Sequence, residues 1–391
     1  MRHARPSRPI FPVVLLLTAC GSAIGTDAGF QTLDSAGVTL ARNAGSEDRP
    51  APWRLIELRR LGGADSGPQA FDHVSPRIAA IDRSDRIHIL TEDGAVVVLD
   101  SLGNHLRSLG RKGGGPGEIE MGGRLSIASD GSIFVLDYLK RAMVGFDTAG
   151  RPLPQVSYRP LGSPSGGLEL DGDVIVIDQG MYEDTTRRLR YVTPNDTAVL
   201  MSIPFVTGGE VTFKRCQVRL TGQQRVFDPG LQWAMRGHAV AASRTDLYEV
   251  RLFEAGRPIR YVRREVLPAA ATLADVARRY PDGIPFQVGN RKCPIPAEEW
   301  AEQIGVAERL PVIDGVRLGP DGTLWVARFT FPDEPPLVDV FDQRGSYLGT
   351  LRNLSLPVGF LSGGRVAAAV DDPDSGGQQL AIYALEPAPW H

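Results

Sequence analysis

The stretch LSIASDGSIFVLDYLKRAMVGFDTAGRPL (125–153) decides the fold of this chain. An apolar run meets a turn at Asp130-Gly131, a second apolar run follows, and a polar hairpin of the form F-D-x-x-G closes the unit at Phe146 to Gly150. Glycine at the last position supplies the positive φ that such a turn needs. The same grammar returns in IAAIDRSDRIHILTEDGAVVVLDSLGNHLRSL (78–109), LELDGDVIVID (168–178), VRLGPDGTLWVARF with VDVFDQRGSYLGTL (316–329 and 338–351) and FLSGGRVAAAV (360–370). A weaker copy, HAVAASRTDLYEVRLFEAGRPI (238–259), fills the middle. Aligned on the turn residue, the copies fall at Asp85, Gly131, Gly172, Thr245, Gly322 and Gly364, with spacings of 46, 41, 73, 77 and 42 residues. Three spacings match the period of propeller blades, roughly 40–50 residues, and each long one reads as a blade plus an insertion of about 30. Units of this size cannot bury a hydrophobic face alone and must stack. The expectation is an all-β, six-bladed propeller.

Within a copy, Ile133-Phe134-Val135-Leu136 has lost its alternation, as a strand covered on both faces does. Val338-Asp339-Val340-Phe341 restores it, and reads as a half-solvated strand with Asp339 facing water. The last copy offers only about three strands before His391, while Trp53 to Leu58 is a spare strand at the other end. Pairing the two closes the ring and covers an edge that would otherwise invite aggregation. The propeller is therefore expected over 52–387. A helical insertion is expected at about 268–310, where Leu273, Val276, Ala277 and Tyr280 share one face. There Pro296 opens a second helix carrying Glu298 and Glu299 in its first turn and Trp300 and Ile304 at i, i+4. It has two readings: packing on a blade, or a cap over one mouth of the channel.

The N-terminus reads as a targeting segment. Arg2, Arg5 and Arg8 precede the apolar core Ile10 to Leu17, which runs into Leu17-Thr18-Ala19-Cys20, too short for a membrane span. Cysteine directly after small residues resembles the bacterial lipobox. The resemblance implies removal of 1–19, acylation of Cys20 (a palmitate-type anchor) and, with Gly21 following, delivery to the outer membrane of the cell envelope. Residues 20–51 read as a flexible tether. Loss of the three arginines leaves 40 basic against 46 acidic residues, a net charge of −6, which argues against a nucleic-acid partner. Cys216 and Cys293 then remain in an exported chain and are expected to form one disulfide.

GRKGGGPGEIEMGGRLSIASDGSIFVLDYLKRAMVGFD (110–147) resembles an NHL-type propeller repeat. Gly113 to Gly117 match its loop, Asp130 and Gly131 its turn, and Asp137 and Arg141 the following hairpin. The layout as a whole is similar to uncharacterised bacterial propeller lipoproteins, a resemblance that implies the fold and no activity. The glycines do not make a phosphate loop, because Lys112 precedes them and a strand follows.

No G-x-S-x-G, H-E-x-x-H or paired-cysteine metal motif is present. Starts of inner strands gather around a propeller channel, so Asp72, His73, Asp137, Asp178 and His238 form the possible channel site. Enzymatic six-bladed relatives hold a divalent metal such as calcium in that place. That resemblance implies a rival reading, a metal-dependent hydrolase or lyase of lactonase or esterase type. The favoured reading needs no cofactor. It is a monomeric, membrane-anchored module whose rim and channel loops bind a protein or a glycan-like ligand.

Overall fold

The computed structural model describes residues 29–63, 71, 73–180, 185–205, 208–288, 291–372 and 376–388. Six antiparallel sheets follow one another along the chain. Blade 1 is Ala79–Ile81, Ile87–Leu90, Val96–Leu99 and His105–Leu109. Blade 2 is Gly122–Ile127, Ile133–Asp137, Ala142–Phe146 and Val156–Ser157. Blade 3 is Pro164–Asp171, Val174–Gln179, Thr186–Val192 and Thr197–Pro204. Blade 4 is Leu231–Arg236, Ala239–Arg244, Glu249–Glu254 and Arg257–Arg264. Blade 5 is Ile313–Leu318, Leu324–Arg328, Leu337–Phe341 and Tyr347–Arg352. Blade 6 is Gly359–Leu361, Arg365–Asp371 and Gln378–Pro387, completed by Trp53–Leu61. The protein is a six-bladed β-propeller.

The ring closes through the N-terminal strand. Trp53–Leu61 runs antiparallel to Gln378–Pro387, with Trp53 opposite Pro387 and Leu61 opposite Leu380. First strands touch between blades 6 and 1, 1 and 2, 2 and 3, and 4 and 5, so they line the axis. The lost alternation now has its cause. Ile133 and Val135 enter the core between blades 1 and 2, while Phe134 and Leu136 enter the core between blades 2 and 3. Six such cores separate the six blades. The F-D-x-x-G turns form as expected. Asp147 and Asp342 each accept two backbone N–H groups of their own turn, and Gly150 and Gly345 take φ of 86° and 85°.

Two expectations are corrected. Residues 30–43, read as part of a tether, form a hairpin, Phe30–Ser35 and Val38–Asn43. Its second strand pairs parallel with Arg257–Arg264, giving blade 4 six strands. Polar composition suits an outermost strand, which is covered on one face only. Ala41 alone is fully buried, in the core between blades 4 and 5. From there the chain crosses blade 5, bridging Pro50 to Thr350, before joining blade 6. It is a strap around half the ring.

Asp339 does not face water. It is fully buried and receives Arg264 Nη1 at 2.8 Å, Thr350 Oγ1 at 2.6 Å and the Tyr248 hydroxyl. Arg264 in turn holds Asp48 of the strap at 2.9 Å. Alternation alone cannot distinguish a solvated acid from one satisfied by a buried network.

Candidate functional site

Strand parity divides the propeller into two faces. Turns after the first and third strands of each blade lie on one face. Turns after the second strand, and the crossovers to the next blade, lie on the other. Both long insertions, 205–230 and 265–312, are crossovers flanking blade 4, and therefore share that crossover face.

The first insertion carries a small hairpin, Val211–Phe213 and Val218–Leu220. The second carries α1, Leu273–Arg279, and α2, Ala297–Ile304. Thr272 and Asp275 form a capping box on α1, and Glu298 and Glu299 face the N-terminus of α2. The two insertions form one body. Phe213, Val226, Val276, Ile295 and Trp300 share a core, with Phe213 stacked on Trp300 at 5.2 Å. Cys216 and Cys293 are bonded, their Cα atoms 5.9 Å apart. A cleft of about 270 Å³ opens on this cap, lined by Arg215, Tyr280, Pro294 and Pro296 among others. The cap touches blade 5 through Phe227, which meets Phe329 edge-on at 5.8 Å, and through Arg278, which pairs with Asp333 at 2.8 Å.

On the same face, three inner strands bulge at their crossover ends. Register slips between Gly122 and Arg124, between Pro164 and Gly167, and between Ile313 and Gly315. Bulges re-aim side chains and are common beside functional sites. In blade 5 the extra residue is Asp314. Its side chain is open to solvent, yet the surrounding wall desolvates it and raises its pKa, with Arg279 of α1 opposing. Both observations fit a carboxyl on the wall of an open channel. In blade 3 the bulge brings Gly166 against an ion pair. A Cβ there would lie 1.8 Å from Asp178 Oδ2 and 2.3 Å from Arg187 Nη2, so only glycine leaves room.

The channel itself holds a charged cluster. Arg124 of blade 2 donates to Glu169 of blade 3 at 2.8 Å through Nε, and its guanidinium lies 4.4 Å above the Trp233 ring of blade 4. Arg317 of blade 5 donates to the carbonyls of Pro357, at 3.2 Å, and Pro76, and so bolts together the crossovers entering blades 6 and 1. Burial pulls Arg317 down to about 10, with Glu169 opposing and Arg124 adding to the fall. Arg77 stands on the same wall, its carbonyl accepting Leu125 N at 2.7 Å. Burial lowers its pKa as well, Arg124 and Arg187 in the same direction, Tyr138 and Asp178 against it.

The residues expected to form a channel site do not converge. Asp137 is fully buried and accepts the backbone N–H groups of Glu120, Met121, Leu139 and Lys140, so it clamps a crossover to a turn. Asp178 is held bidentate by Arg187 at 2.8 and 2.7 Å. His73 is exposed on the crossover face, but His238 lies in the turn after the first strand of blade 4, on the opposite face. Asp72 and Cys20 lie outside the described residues. Among the described residues, no group of three or more His, Cys, Asp or Glu is placed to hold a metal ion. The Gly-rich segment closes on itself: Glu118 accepts Gly115 N, and Lys140 Nζ donates to the carbonyls of Gly115 and Glu118. Arg77, Arg124, Glu169 and Arg317 escaped the sequence reading. Their signal was a charge inside an inner-strand run, as in GGRLSI and LELD, where a strand covered on both faces should carry none.

Known structures resemble this chain in fold. A Bacteroides fragilis protein named as a candidate exported protein is 12% identical with a TM-score of 0.52, over 88% of this chain and 98% of its own. A Bacteroides vulgatus member of the DUF4221 family is 8% identical at 0.49, over 87% and 100%. A gluconolactonase of Xanthomonas campestris is 16% identical at 0.40, over 88% and 98%. No family model matches the chain, and no curated protein does.

Proposed function

We propose that this propeller is a lipid-anchored binding module of the cell envelope, which presents its capped crossover face to a protein or glycan-like ligand. The observation that carries the reading is the cap. Two insertions from either side of blade 4 share a core and a disulfide, and lie on the same face as the crossover ends where three inner strands bulge. A rigid scaffold that concentrates its elaborations on one face usually binds there. The basic n-region and Leu17-Thr18-Ala19-Cys20 support export and acylation, and a disulfide suits an oxidising compartment. No helix of the described residues is long and apolar enough to cross a membrane. We place the protein at the outer membrane as a monomer.

Two measurements test the reading. Wild-type protein should partition into detergent with the membrane fraction, and Cys20→Ser should not; unchanged partitioning would remove the anchor. A photo-crosslinker at Leu273, exposed on the cap, should capture an envelope component that the same group at Leu106, on blade 1, does not. Identical adducts from the two positions, or none from Leu273, would remove the binding face.

A further inference from the structure

The channel wall is unbalanced in charge. Arg77, Arg124, Arg187 and Arg317 stand with Glu169, Asp178 and, at the crossover end, Asp314, four guanidinium groups against three carboxylates. Glu169 is already engaged by Arg124 and Asp178 by Arg187. Arg317 is held by two carbonyls and no acid. Arg77 is exposed at the mouth and has no hydrogen-bond acceptor for its side chain among the described residues. An open guanidinium with no acid of its own on the wall is free to take an anion from solvent. Arginine forks match the geometry of carboxylates and phosphates, which they bind bidentate.

We propose that the capped mouth of the channel receives an oxyanion group of its ligand, carboxylate or phosphate, on Arg77, with Arg124 and Arg317 supplying the surrounding positive field. Pro76, whose carbonyl Arg317 grips, places Arg77 and Arg317 on one wall. Leu125, bonded to the Arg77 carbonyl, places that wall beside Arg124. Asp314, exposed at the crossover end of the same inner strand as Arg317, can read the uncharged remainder of the ligand. The inference rests on the binding-module reading and narrows its ligand to one with an acidic group.

The test is calorimetric titration of the full chain in detergent with two probes, citrate for the carboxylate and inorganic phosphate for the phosphoryl group. One saturable site is expected for at least one probe, weakening as salt is raised. Arg77→Met should weaken it about ten-fold or more, the cost of one charged hydrogen-bonding partner. Arg54→Met, on the outer strand of blade 6, should leave it unchanged. Should Arg77→Met fail to fold, Arg77→Lys takes its place, keeping the charge, losing the fork and giving an intermediate affinity. No saturable binding of either probe, or wild-type affinity in the Arg77 variants, would overturn the proposal. Capture from Leu273 persisting in Arg77→Met, with neither anion bound, would remove this inference and leave the binding module standing.

Discussion

Blade 2 and blade 4 are built on the same plan and carry very different loads. Blade 2 is the plainest copy of the repeat, with tight turns and a last strand of two residues. Blade 4 has the poorest repeat in sequence, yet its sheet has six strands and both its crossovers are enlarged. The seams differ in the same way. Between blades 2 and 3 the core is apolar, with Phe134, Leu136, Met143 and Ile177 at its centre. Between blades 4 and 5 a buried ionic network lies beside the apolar core and reaches the strap through Asp48. Where the repeat decays, the chain has exchanged generic stacking for specific, singly determined contacts.

The sharpest way to break this contrast is Asp339→Ala. It takes the buried partner from Arg264, leaving that unexposed side chain only Asp48 and strap carbonyls, and takes the acceptor from Tyr248 and Thr350, so it should cost about 3–5 kcal/mol, as breaking a buried pair does. The urea midpoint should fall accordingly; a loss under about 1 kcal/mol would mean the network follows the seam and does not fix it. Next is the staple. Cys216→Ser with Cys293→Ser opens a loop of 77 residues, worth roughly 4 kcal/mol to the cap in the chain-entropy model. Hydrogen exchange should quicken first over 268–310, while 78–153 keeps its protection, because stability in repeat arrays is mostly nearest-neighbour. Equal loosening of both segments would contradict the contrast.

A smaller effect is expected at Asn43. Its side chain donates to the Gly345 carbonyl at 2.9 Å and accepts Tyr347 N at 2.7 Å, tying the strap to blade 5. Asn43→Ala leaves both backbone groups unpaired and should cost about 1–3 kcal/mol, read as a fall in melting temperature.

The smallest is a pH effect on the same strap. Burial pushes Asp48 up, but hydrogen bonds and charge from Arg264 and Arg328 outweigh it and hold the carboxyl below its usual range. A depressed folded-state pKa gives stability that is present above the unfolded value and lost as pH falls through the folded one. Protection over 46–50, the intrinsic exchange rate at each pH divided by the observed one, should therefore fall below about pH 4 and stay flat from there to neutrality. Protection lost on the alkaline side instead would reverse the assignment.

The ring was legible because its punctuation is chemical. Asp130-Gly131, Gly322 and Gly364 stand where only a few residues can turn the chain, and Trp53 to Leu58 could only be a strand without a blade. The strap was not legible for the opposite reason. A strand at a sheet's outer edge needs little apolar surface, and TLDSAGVTLARN looks like linker unless Ala36-Gly37 is read as its turn, with φ of 50° and 81°. The site was hidden by distance. Arg124, Glu169, Trp233 and Arg317 lie on four blades, up to 193 positions apart between Arg124 and Arg317, and only the closed ring brings them together. Conversely, Asp137 and His238 looked like partners because both border a strand, but parity puts them on opposite faces.

The strap also sets a length. With the lipid on Cys20 that we propose, a tether running to Trp53 would let the propeller stray about 110 Å from the bilayer. The hairpin begins at Phe30, which leaves nine residues, 21–29, as the leash. Fully extended, they reach about 30 Å, comparable to the thickness of the hydrocarbon core itself. An anchor there would hang the propeller from one sector, at the rim of blade 4, and restrict its tumbling. Energy transfer from labelled lipid should be stronger to Leu33, on the hairpin, than to Leu106, across the ring. The cap, rising from the crossovers that flank that blade, is then kept within a few nanometres of the membrane surface, and whatever it binds must be met there.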